Sequence, residues 1–107
     1  MVDVTRGLPA AGMRVEVHRL DGGRVRIAEG VLDAGGGFAV AAAAVRPPGV
    51  CEVVFYVGAF YRELGVALPA PPFLDEVPFR FGLADTAQHY HLPLKLSPWG
   101  YSLFRGA

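Results

Sequence analysis

Fourteen glycines and nine prolines are spread through 107 residues, and they cut the chain into segments too short for long helices. Glycine interrupts regular structure by its conformational freedom, proline by its fixed φ and missing N–H. Within most segments side-chain character alternates with period two, the signature of strands. GMRVEVHRL sets Met13, Val15 and Val17 against Arg14, Glu16 and His18. The DGG turn at 21–23 returns the chain into RVRIAEGVL as a hairpin. AGGG and FAVAAAAV follow, and RPPG at 46–49 forces another turn. CEVVFYVG is rich in β-branched and aromatic residues and reads as a buried strand.

One helix is expected. AFYRELGV, over 59–66, spaces Phe60 and Leu64 four apart and stops at Gly65, which suits a short surface helix of about two turns. PAPPFLDEVPFRFGL is broken by proline and then extended, with Phe79 and Phe81 on one face and Arg80 on the other. SPWG turns the final hairpin. Eight or so short strands with one small helix give an all-β, two-sheet sandwich. The length suits a single domain over 1–107, able to bury one core without disulfides or metal.

Ten basic residues balance ten acidic ones, so no long-range field recruits nucleic acid or an anionic membrane. The longest apolar run, residues 38–45, is well short of the roughly 20 residues a membrane span needs. MVDVTRG has no basic segment leading into an apolar one, so a cytoplasmic protein is expected. Cys51 is the one cysteine; it excludes an internal disulfide and reads as a small buried hydrophobe. The glycines at 35–37 lack the strand-loop-helix context of a phosphate cradle and read as a plain loop. His89 and His91 alone offer two metal ligands and need a third, so neither a metal nor another cofactor is expected. His18 reads as a surface residue on the polar side of its strand, and Asp75 and Glu76 as loop residues.

The last stretch, HYHLPLKLSPWGYSLFRGA, splits by parity. Tyr90, Leu92, Leu94 and Leu96 fall on one side, and His89, His91, Pro93 and Lys95 on the other. With Pro98 and Trp99 at the tip, antiparallel pairing sets Lys95 opposite Ser102, Pro93 opposite Phe104, and His91 near Gly106. One face thus collects a titratable ring, an ammonium, a hydroxyl and two apolar walls, the makeup of a ligand surface. The plain alternative is a wet sheet face along which Lys95 extends.

RGLPAAGMRVEVHRL, PPFLDEVPFRFGLAD and HYHLPLKLSPWGYSLFRGA together resemble the transthyretin-like family, and within it the 5-hydroxyisourate hydrolase branch, from Asp3 to the end of the chain. The resemblance implies a homotetramer of β-sandwiches, a dimer of dimers whose terminal hairpins line a central channel. It also implies, for the hydrolase branch, a place in purine metabolism, opening the ring formed when urate is oxidised. In that assembly the leucine face packs inside the sandwich while His91, Pro93 and Lys95 look into the channel.

The hydrolase site resembles a set of two histidines, one arginine and a C-terminal Tyr-Arg-Gly-Ser. His91, Arg105 and Gly106 match it, while Phe104 stands for the tyrosine and Ala107 for the serine. The first histidine precedes a hydrophobic pair and the aspartate matched by Asp3, so its position lies ahead of Met1. The loop arginine's position falls on Gly37. Lys95 stands where the hydrolases usually carry an apolar residue; a second copy of it across a symmetry axis would set two ammonium groups against each other and make each usable as a base or nucleophile.

Three readings remain open. The altered positions favour a divergent, repurposed enzyme that opens, closes or isomerises a small polar or cyclic substrate by acid–base chemistry, as recruitment to a biosynthetic pathway would require. The second is an authentic 5-hydroxyisourate hydrolase with a truncated start, and the third a non-catalytic small-molecule binder like transthyretin. The resemblance and the hairpin face together nominate His91, Lys95 and Arg105 as catalytic, and Pro93, Ser102, Phe104 and Gly106 as substrate-binding.

Overall fold

The computed structural model describes residues 1–40, 47–86, 88 and 90–106. In chain order the elements are β1 (Val2–Asp3), β2 (Leu8–Pro9), β3 (Arg14–Arg19), β4 (Val25–Val31), β5 (Gly49–Tyr56), α1 (Val57–Glu63), β6 (Glu76–Leu83), β7 (Leu94–Ser97) and β8 (Gly100–Leu103). They form two four-stranded sheets with strand orders β2-β1-β7-β8 and β4-β3-β5-β6. The alternation dictates how the sheets close on one another. Met13, Val15 and Val17 of the β3 region meet Val53 and Phe55 of β5 and Leu94 and Leu96 of β7 in one buried cluster. Each such side chain, fully buried, contributes roughly 1.5–3 kcal/mol.

The β3–β4 hairpin turns at Gly22 and Gly23, whose φ values of 70° and 125° lie where side chains other than glycine's are strained. A bulge at Val17/His18 shifts its register. Phe79 and Phe81 stack with ring centroids 6.0 Å apart on the inner side of β6, while Arg80 on the outer side reaches Glu52. Cys51 is fully buried, and burial pushes its thiol above the usual range.

Besides Glu76, which opens β6 and is not a loop residue, three features depart from the sequence reading. First, α1 starts at Val57 and not at Ala59, because Gly58 lets it approach the proline segment: a Cβ there would lie 2.8 Å from Pro72 Cγ. The stop at Gly65 holds. The Val66 N–H donates to the Tyr61 carbonyl and the Gly65 N–H to the Arg62 carbonyl, a Schellman closure with Gly65 at φ 81°. Nor is the helix superficial, since Phe60 and Tyr61 are buried.

Second, β1 and β2 are strands of two residues each, too short to show a period. What fixes β1 is Asp3, which is 0% exposed. Its carboxylate accepts bonds from the Thr5 amide (3.1 Å) and hydroxyl (2.6 Å), Arg6 Nε (2.6 Å) and the Tyr61 hydroxyl (2.7 Å). Burial pushes the Asp3 carboxyl up, but the bonds from Thr5, Arg6 and Tyr61 together outweigh it and leave the pKa below the usual 3.8. Burial and the neighbouring Asp3 both drive the Tyr61 phenol upward, so it remains a donor.

Third, His18 is 8% exposed and not a surface residue. It pairs across strands with Arg26 and Glu52, its Nε2 lies 3.5 Å from Glu16 Oε1, and the long side chains of Arg24 and Arg26 wall the cleft around it. Of FAVAAAAV, residues 41–45 lie outside the described residues.

Candidate functional site

The terminal hairpin has the register its sequence dictates. Leu94 pairs with Leu103, Lys95 with Ser102, Leu96 with Tyr101, and Ser97 with Gly100 across the Pro98–Trp99 tip. An isolated bridge pairs His91 with Gly106. Three residues lie between 91 and 95 on one side and three between 102 and 106 on the other, so no residue is inserted between this bridge and the hairpin ladder. Leu94 and Leu96 are buried beneath the hairpin, and His91, Lys95, Ser102 and Phe104 are exposed on its other face. Pro93 is half-buried. β1 runs parallel to β7 with Val2 beside Lys95, so Val2, 39% exposed, and Phe104, 54% exposed, flank the ammonium with apolar surface.

His91 and Gly106 are in close contact. The Gly106 N–H donates to the His91 carbonyl at 2.7 Å, and a Cβ on Gly106 would fall 2.6 Å from His91 Cδ2 and 3.1 Å from Pro93 Cγ. Only a residue without a side chain lets the imidazole lie this close to the tail. Arg105 has a different location. Its guanidinium sits 4.2 Å from the centre of the Tyr90 ring and donates to Gln88 Oε1 at 2.7 Å, on the Tyr90 side of the hairpin and away from the exposed face that carries Lys95. His89 and Ala107 lie outside the described residues.

His91 also borders a cavity of about 580 Å³, within the range of small-molecule sites. Its lining includes the apolar Val53, Phe55 and Phe81 together with Met1, Gly35, Gly36, Gly37, Tyr90 and His91. The N-terminal amine of Met1 donates to the Gly36 carbonyl at 2.9 Å. Three positions widely separated in sequence therefore line one cavity: Met1, the glycine loop and His91. Within that loop Asp33 Oδ1 accepts from the Gly35 and Gly37 amides, both at 2.9 Å, so these amides already hold a carboxylate, as a plain loop requires. No described group of three or more His, Cys, Asp and Glu residues is placed to hold a metal ion. No described helix is long and apolar enough to cross a membrane.

The residues that sequence reasoning missed are Gln88 and Tyr90, the partners of Arg105. The parity of the hairpin carried the signal, since it sets Arg105 against Leu92 and so on the side of Tyr90.

A family profile described as the HIUase/Transthyretin family matches residues 1–106. The chain belongs to that family. Among its relatives, 5-hydroxyisourate hydrolase 2 of Rhizobium meliloti is 41% identical over 121 residues, covering 100% of this chain and 92% of that protein. The structure of Klebsiella pneumoniae 5-hydroxyisourate hydrolase superposes with a TM-score of 0.82 at 28% identity, covering 99% of this chain and 92% of the other. Sea bream transthyretin in complex with thyroxine superposes with a TM-score of 0.85 at 30% identity, over 98% and 89% of the two chains. The two-sheet sandwich with one short helix is thus the HIUase/Transthyretin fold.

Proposed function

We propose that this chain is itself a 5-hydroxyisourate hydrolase, with His91 as the base that activates water. What carries the reading is the meeting of Met1, the glycine loop at 35–37 and His91 around one cavity, in a chain whose full length matches curated 5-hydroxyisourate hydrolases. Those relatives favour the hydrolase over a repurposed cyclase or isomerase, which the exchanges at Gly37, Phe104 and Ala107 had suggested.

Hydrolysis of a cyclic amide adds the oxygen of water to a ring carbonyl, breaks the ring C–N bond and delivers a proton to the nitrogen. The acid that forms ionises. His91 takes the proton from water and returns it to the leaving nitrogen. The developing oxyanion needs a donor or cation, and Lys95 is the one lysine among ten basic residues. It lies about 13 Å from His91 along the extended strand at roughly 3.3 Å per residue. One copy cannot place both groups on one carbonyl. A second copy supplies Lys95, with Ser102 beside it, and covers Val2 and Phe104, so the working form is an assembly, a tetramer in this reading. Gly106 packs between His91 and Pro93.

The test follows freshly generated 5-hydroxyisourate by ultraviolet absorbance. Decay faster than the spontaneous rate, in proportion to added protein, supports the hydrolase. Decay at the spontaneous rate, with saturable binding of an aromatic ligand, would instead favour a binder resembling transthyretin.

A further inference from the structure

Gln88, Tyr90 and His91 lie ahead of β7. They meet the C-terminal tail at two points: the Gly106 N–H on the His91 carbonyl, at 2.7 Å, and Arg105 on Tyr90 and Gln88. At the second point, a planar cation on an aromatic face, with a bond to an amide oxygen at 2.7 Å, holds orientation as well as distance. The two contacts are adjacent in both segments. If the guanidinium leaves Tyr90, the tail keeps the Gly106 bond but loses its second anchor, and Gly106 can shift against the imidazole it now touches.

We propose that Arg105 is a positioning residue and not a substrate ligand: clipped to Tyr90 and Gln88, it fixes the tail so that Gly106 sets the orientation of the His91 ring. The assignment rests on the hydrolase reading for its effect on turnover, but not for its effect on His91. A strictly structural clip would alter stability alone, whereas a positioning clip changes kcat with little change in KM, because a base displaced by about 1 Å loses rate on the order of a hundredfold.

Arg105→Gln and Tyr90→Leu remove the clip from opposite sides. Each is expected to lower kcat at least tenfold with KM changed less than threefold, and the double variant is expected to be no worse than the poorer single one, as for two residues acting as a unit. Gln88→Ala gives a smaller loss of the same kind and, being exposed, leaves folding intact. Independently of turnover, the His91 imidazole proton signal, assigned with His91→Asn among the three histidines, moves in both clip variants while that of His18 stays in place. A rise in KM for Arg105→Gln with full activity in Tyr90→Leu would make Arg105 a substrate ligand and overturn the proposal, as would an unmoved His91 signal. Failure of the wild-type protein to turn over hydroxyisourate would remove the proposed function and leave the His91 signal as the deciding measurement.

Discussion

Asp3 accepts four bonds without contact with solvent, so its charge is tied to the folded state. Its folded pKa lies below the usual 3.8, and the unfolded chain therefore takes up the proton first as pH falls. The stability that Asp3 contributes is complete above about 3.8 and is lost as the pH drops through the lower folded value. Urea unfolding between pH 6 and pH 3 is expected to show that decline in the wild-type protein and a flatter curve in Asp3→Asn. Asp3→Ala is expected to cost about 3 kcal/mol or more, the scale of a charge-assisted bond plus a stranded Tyr61 hydroxyl. At the site, Gly106→Ala puts a methyl group 2.6 Å from His91 Cδ2. The ring has to turn away, and kcat is expected to fall about tenfold to a hundredfold with the melting temperature nearly unchanged.

The β7–β8 hairpin shows the clearest link from sequence to site, because two-residue alternation fixes its faces and SPWG fixes its register. Leu96 is fully buried beneath it; Leu96→Ala is expected to cost about 2–5 kcal/mol, and Leu92→Ala, half-buried, less, as read from denaturant midpoints. The same alternation made β3, β5 and β6 legible, and Gly65 marked the end of α1. What stayed hidden has physical causes. β1 and β2 hold two residues each and are placed by the Asp3 carboxylate and by pairing with distant β7. His18 is buried between β4 and β5, with Arg24 and Arg26 lining its cleft, which no local pattern records. Arg105 is reached from two directions: a motif match nominates it for the site, and hairpin parity puts it with Tyr90, which lines the cavity.

A single copy leaves Val2 and Phe104 exposed around the ammonium of Lys95, on the face from which His91 also projects. The hydrolase reading needs that face covered by another copy. Light scattering is expected to give about four times the 11.4 kDa of one chain, and Phe104→Glu is expected to shift the population to smaller species with lower activity. Lys95→Ala is expected to lower turnover while keeping the wild-type mass; unchanged kinetics would remove Lys95 from the reaction. The most direct measurement is the decay of fresh 5-hydroxyisourate with wild-type protein and His91→Asn side by side at matched concentration. Rapid decay with the first and near-spontaneous decay with the second is the predicted result; equal rates for both proteins would contradict the assignment of His91 as the base.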